Sequence, residues 1–204
     1  MGYTHYYYVA KEVNGANFKK VVKDFKAILP ELDHYCKLAG WDGKGKPKIT
    51  ANEINFNGLE KCGHPERGLG ITWPAEDKSP KKKGAVSGAW FGGATLNERA
   101  CGGDCSHESM TLRRVFKPGS YESLDDAGRV FYFCKTAYKP YDFAVVALLV
   151  IAKHHLKDDI KVSSDGTDND WADVKLFVQH HLGYGLEYSI GEGGLTKKAP
   201  CIKG

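Results

Sequence analysis

Apolar side chains recur at three- and four-residue steps through Phe18, Val21, Val22, Phe25, Ile28 and Leu29, which predicts an amphipathic helix from about Asn17. Pro30 is expected to end or kink it, with Leu32, Tyr35, Cys36 and Leu38 continuing the stripe in a second short helix. Ahead of it, Thr4 to Ala10 is aromatic and β-branched enough for an opening strand. The most apolar stretch lies further on. Val130 to Cys134 is apolar or aromatic at every position, which predicts a strand covered on both faces. Pro140 suits a first helical position, and Phe143 to Ala152 carries no charge, the mark of a helix buried all round.

Glu53 to Asn57 reads as a short strand closing on an Asn57-Gly58 turn, and Ser109 to Phe116 as another strand. Leu69 to Trp73 could form one more, and Leu124 to Ala127 a helical turn. Residues 59–106 otherwise read as a long irregular elaboration. Ile160 to Ser163 is a strand, followed by a turn and a last helix through Trp171, Val174, Leu176, Phe177, Val178 and Leu182 that Gly183 stops. Glu187 to Ile190 follows as an edge strand before a basic, glycine-rich tail. The order predicts an α/β chain, with α+β as the alternative: one domain over 1–204, a mixed sheet flanked by about three helices. One parallel crossover is expected between 129–136 and 160–164.

The 204 residues suit one large domain. A formal charge of +4 from scattered basic residues is too small to announce a nucleic-acid partner, and none is expected. The ten uncharged residues of the apolar helix fall short of a bilayer span, and no secretory signal opens the chain, so no membrane partner is expected and a cytoplasmic protein is. In that compartment the six cysteines read as thiols or metal ligands before disulfides.

Four groups of residues could carry chemistry. Cys62, His64, Cys101 and Cys105 have ligand chemistry for a structural zinc within the irregular span, without the usual ligand spacing. His107 and Glu108 are proton-transfer candidates, with Arg113 and Arg114 able to grip a carboxylate or phosphate. Lys135 and Lys139 bracket the end of the apolar strand and the start of the apolar helix, where Tyr141 and Asp142 stand; ammonium groups beside a helix N-terminus favour an anion, although Asp142 can satisfy the same dipole. Ser164 and Asp165 close the next strand and, if the two strands are parallel neighbours, meet Lys135 and Lys139 at one sheet edge. The tyrosines between Tyr3 and Tyr8 could supply stacking surfaces or simply a sheet face.

Met-Gly-Tyr-Thr-His-Tyr at 1–6, Phe-Asn-Gly at 56–58, His107-Glu-Ser109, Phe133-Cys-Lys-Thr-Ala-Tyr-Lys-Pro-Tyr-Asp142 and Ser163-Ser-Asp-Gly166 together resemble a family of small proteins of bacteria, phages and some eukaryotes. That family has no established activity, so the resemblance implies one shared architecture and no reaction. The expected function is a polar site for an anionic small molecule such as a nucleotide or sugar phosphate, with a hydrolase or transferase as its catalytic form. The alternative is a non-catalytic binding, interaction or structural protein.

Overall fold

The computed structural model describes residues 2–33, 36–62, 99, 103–116 and 123–198. In these residues three α-helices and several antiparallel sheets make one mixed α and β domain, the α+β form of the expected class. Of the expected 59–106 elaboration, 59–62, 99 and 103–106 are described, and the strand expected at 69–73 lies outside the described residues.

The organising sheet has three strands: β1 (Thr4–Val9), β6 (Val130–Lys135) and β7 (Ile160–Ser164), in the order β6-β1-β7. Both neighbours run antiparallel to β1, so β6 and β7 are parallel to each other yet never adjacent. The expected parallel pair is therefore corrected: the opening strand lies between them, and its five backbone-paired positions with β7 take the place of a β6–β7 ladder.

Alternation along β1 explains both faces. His5, Tyr7 and Val9 point to the core, whereas Tyr6 and Tyr8 face outward. The same parity in β6 buries Val130 and Cys134 but leaves Phe133 52% exposed. This overturns the expectation of a strand covered on both sides. An all-apolar run cannot distinguish a doubly buried strand from one whose outward residues are aromatic.

A second sheet sets β2 (Leu38–Ala39), β3 (Lys48–Ile49) and β5 (Met110–Arg113) around β4 (Glu53–Gly58). Asn57 and Gly58 lie inside β4 instead of forming the expected turn. Asn57 is used for its amide: Oδ1 accepts from the His107 amide at 3.0 Å and Nδ2 donates to the His107 carbonyl at 2.8 Å. Gly58 is used for its missing side chain, since a Cβ there would lie 1.9 Å from the Cys105 carbonyl oxygen. A small hairpin, β8 (Tyr188–Gly191) with β9 (Gly194–Lys197), completes the strands; β9 falls in what the sequence presents as a glycine-rich tail. Residues 125–128 form a tight loop, with Leu124 bridging to Val130, where a helical turn was expected.

Helix α1 (Gly15–Leu32) runs through Pro30, so the expected break and second helix are replaced by one element. Proline so close to the C-terminus removes a single backbone hydrogen bond, which the burial of Ile28 and Leu32 offsets. Asn14 caps its start, accepting from the amides of Ala16 and Asn17 at 2.9 and 3.1 Å. Asn14→Ala should therefore lower stability by about 1 kcal/mol, read as a shifted urea midpoint with unchanged slope. Helix α2 (Asp142–Leu156) is buried from Asp142 through Ala152, as its uncharged sequence requires. It packs against α1 and against α3 (Ala172–Leu182), which ends at Gly183 in the left-handed conformation, φ 83°. No helix among the described residues is long and apolar enough to cross a membrane.

Candidate functional site

The site is built where β1 begins and where β6 and β7 end. The β1 register sets His5 opposite Cys134 on one side and Ser164 on the other. Inward parity then drives the His5 ring beneath the sheet, fully buried. There its Nε2 meets Asp142 Oδ1 at 2.7 Å and its Nδ1 meets Ser164 Oγ at 3.0 Å. Asp142 arrives from the first residue of α2, and Ser164 from the last of β7.

Asp142 is 1% exposed and has further partners: the Thr136 hydroxyl donates to Oδ1 at 2.6 Å, and Arg99 Nε donates to Oδ2 at 3.0 Å. Arg99 reaches on to Asp173, Nη1 donating at 2.6 Å, and its guanidinium lies 5.0 Å from the centre of the Phe143 ring. Burial alone would push the Asp142 carboxyl up, but His5, Arg99 and Thr136 outweigh it and hold the carboxyl down at about 2. Burial likewise works against the Arg99 charge, and Asp173 and Asp142 outweigh it, holding the guanidinium above its ordinary value. One cation between two carboxylates gives a buried chain, Ser164–His5–Asp142–Arg99–Asp173, in which every link is a hydrogen bond.

The Asp142 carboxylate accepts from His5 Nε2–H, and in the tautomer that carries its proton there Nδ1 is left as an acceptor for the Ser164 hydroxyl. That is the hydrogen-bond order of a serine–histidine–aspartate relay, with the two ring nitrogens exchanged relative to the trypsin-like arrangement. Ser164 Oγ also accepts from the Gly166 amide at 3.0 Å, which fixes its rotamer.

Tyr3 stacks on Tyr138 with ring centres 3.8 Å apart and meets His5 edge-on at 4.9 Å; Trp171 meets the other side of His5 at 5.4 Å. Among the described residues the buried Tyr3 hydroxyl and Trp171 Nε1 make no hydrogen bond. Burial first, and then the Asp142 charge, push the Tyr3 phenol well above its usual range; the Ser164 hydroxyl is near enough to oppose this without forming a bond of normal geometry. Ala137 and Tyr138 adopt φ of 51° and 56°, which costs non-glycine residues roughly 1–2 kcal/mol each. The strained pair swings the chain from β6 into α2 and lays Tyr138 over Tyr3.

The expected site residues divide into those that meet here and those that do not. Ser164, Asp165, Lys135 and Asp142 converge at this end of the sheet, flanking Thr4 and His5. Asp142 and Tyr141 are interior groups, not ligand contacts: the Tyr141 hydroxyl donates to the Glu108 carbonyl at 2.6 Å and its side chain is fully buried. Lys139 Nζ donates to the Asp104 carbonyl at 2.5 Å. Glu108 covers the outer edge of β6, its carboxylate accepting from the Lys135 amide at 2.7 Å, while His107 is exposed and held by Asn57. Neither reaches the relay, because β1 and β6 stand between.

Arg113 pairs with Glu53 at 3.0 Å, and Arg114 with Glu12 at 3.1 Å. The Arg114 carbonyl accepts from the Val13 amide, beyond the far end of β1 from His5, and Arg113 pairs in register with Glu53 of the second sheet. Cys62 is half-buried and Cys105 buried, whereas His64 and Cys101 lie outside the described residues. Among the described residues no group of three or more His, Cys, Asp or Glu could hold a metal ion. A cavity of about 510 Å³ lined by Lys153, His154, Lys157, Tyr188 and Lys197 opens at the other end of α2, away from Lys135.

Sequence reasoning misses His5, Arg99 and Asp173. His5 could have been found from parity, since it shares the buried face with Tyr7 and Val9. Around Arg99 the sequence has no apolar periodicity, and it sends no such signal. Comparison of the chain with family models, with curated proteins and with solved structures returns no match.

Proposed function

We propose that the chain is a hydrolase or transferase acting on an anionic small molecule, with Ser164 as the nucleophile. The single observation that carries this reading is the buried relay of 3.0 and 2.7 Å bonds from Ser164 through His5 to Asp142. As Ser164 Oγ attacks an acyl or phosphoryl centre, its proton passes to His5 Nδ1. Asp142 holds the ring by Nε2 and balances the imidazolium that forms. His5 returns the proton to the leaving group, and water or an acceptor hydroxyl then releases the group held on Ser164. The Tyr3 hydroxyl, buried and without a hydrogen-bond partner among the described residues, is the donor available to the oxygen that gains charge. Lys135 supplies the cation at this end of the sheet. The resemblance to a family of small bacterial, phage and eukaryotic proteins adds no reaction to this reading.

A second reading rests on the Gly166 amide. By donating to Ser164 Oγ it makes the hydroxyl part of an ordinary turn, so that the network is a staple and the protein a binding or structural one. A fluorophosphonate probe separates the two. The native chain should gain one adduct that peptide mapping places on Ser164, Ser164→Ala should gain none, and Asp142→Asn should react at least tenfold more slowly. The same preparations should cleave a nitrophenyl acyl or phosphate ester only when Ser164 is present. A folded native chain that takes up no probe and cleaves neither ester overturns the proposal and favours the staple.

A further inference from the structure

The outer face of the β6-β1-β7 sheet poses a separate question. By register, Tyr6 lies opposite Phe133 and Tyr8 opposite Phe131, so four aromatic rings form a two-by-two block on one face. The rings lie side by side: Tyr6 and Phe131 are 6.3 Å apart and 15° from parallel, Phe131 and Phe133 6.1 Å and 28°. Phe133 is 52% exposed and the other three are half-buried. Scattered exposed apolar residues need no explanation, but a contiguous aromatic block on a water-facing sheet does.

Charge decides which partner fits. The register places Lys135 beside Thr4 at one corner of this face and Lys161 beside Tyr8 at the opposite corner. Strand spacing and rise put the two lysines roughly 16 Å apart, with Tyr6 at the middle of the diagonal between them. Two acids border the face and both are already used: Asp165 accepts from the Thr4 amide and the Tyr6 hydroxyl, each at 3.0 Å, and Glu108 accepts from the Lys135 amide at 2.7 Å. A protein interface of this size would be poor in lysine. A partner with flat faces to lay on the rings and negative charge at intervals matches both features.

We propose that this face binds single-stranded nucleic acid, bases stacking on Tyr6, Tyr8, Phe131 and Phe133 while phosphates meet Lys135 and Lys161. The chemistry is that of sequence-tolerant stacking platforms, in which every base offers a π-face and the backbone is tracked by cations. Duplexes keep their bases stacked inside and offer the rings nothing. The rings are set apart from the relay, since His5 and Tyr6 point to opposite faces of β1; Lys135, at the strand end, is the residue that both readings use. The modest net charge of +4 argues against a broad electrostatic footprint, not against two placed lysines.

The test is fluorescence anisotropy of labelled 12-nucleotide oligo-dT and oligo-rU, with a duplex of equal length, across 50 to 200 mM salt. The single strands should bind at least tenfold tighter than the duplex. Phe133→Ala and Tyr8→Ala should each weaken binding about tenfold or more. Lys161→Ala should reduce the slope of log K against log salt by about 0.7. Phe133 is half exposed, so its variant should keep the native circular dichroism, and Tyr8→Ala gives a second reading if it does not. Equal affinity for duplex, no binding at 50 mM salt, or unchanged affinity in both aromatic variants overturns the proposal. So does a concentration-dependent dimer in sedimentation that Phe133→Ala dissolves, because a second copy would then be the occupant.

Discussion

Arg99→Met is expected to destabilise the protein by about 3–5 kcal/mol, more than any surface substitution. Asp142 and Asp173 are 1% and 0% exposed, and the guanidinium between them is 4% exposed. Methionine fills the space without the charge, leaving the buried Asp142 and Asp173 carboxylates without the guanidinium they share. Acid behaviour gives an independent check. In the native chain the Asp142 carboxyl sits at about 2 against an ordinary 3.8. Its contribution, on the order of 2 kcal/mol, is present above pH 4 and is lost as pH falls towards 2. Without Arg99 a cation that opposes burial at both sites is gone, so the folded carboxyls move upward and the variant's deficit should shrink as pH falls from 7 to 4. Urea midpoints for both proteins at pH 7 and pH 4 measure this. A deficit equal at both pH values, or below 1 kcal/mol at pH 7, contradicts the assignment.

Phe25→Ala should cost a comparable 3–5 kcal/mol for a different reason. Phe25 is fully buried on α1, and its ring stacks on Phe56 of β4, with centres 5.4 Å apart. The helix that packs on α2 thus also touches the second sheet. Removing the ring leaves a cavity between rigid elements that cannot close around it. Phe25→Leu, which keeps most of the volume, should lose less than half as much. Because that cavity is distant from His5 and Ser164, labelling of Ser164 in the folded variant should be unchanged. This separates a packing loss from a relay loss.

Much of this architecture is legible in the chain because burial leaves a mark on composition. Helix α2 announces itself by ten uncharged residues, α1 by its stripe, and the end of α3 by Gly183. Strand β4 is legible but its end is not: Asn57-Gly58 has the composition of a turn, and only the nearby Cys105 carbonyl shows why glycine is needed inside a strand. Helix α1 passes Pro30 because tertiary burial of Leu32 exceeds a local preference. At the site, the meeting of Lys135, Ser164 and Asp165 follows from reading strand ends correctly, although the element between them was not foreseen. Arg99 could not be read at all. A buried cation is recognised by the carboxylates around it, and its partners Asp142 and Asp173 lie 43 and 74 residues away.

The central place of β1 has a consequence for synthesis. Its two partners begin at Val130 and Ile160, so β1 leaves the ribosome roughly 150 residues ahead of the second of them. At ordinary elongation speeds that is a wait on the order of ten seconds. Throughout it, an aromatic strand with two unsatisfied edges must be kept from pairing with a neighbouring nascent chain.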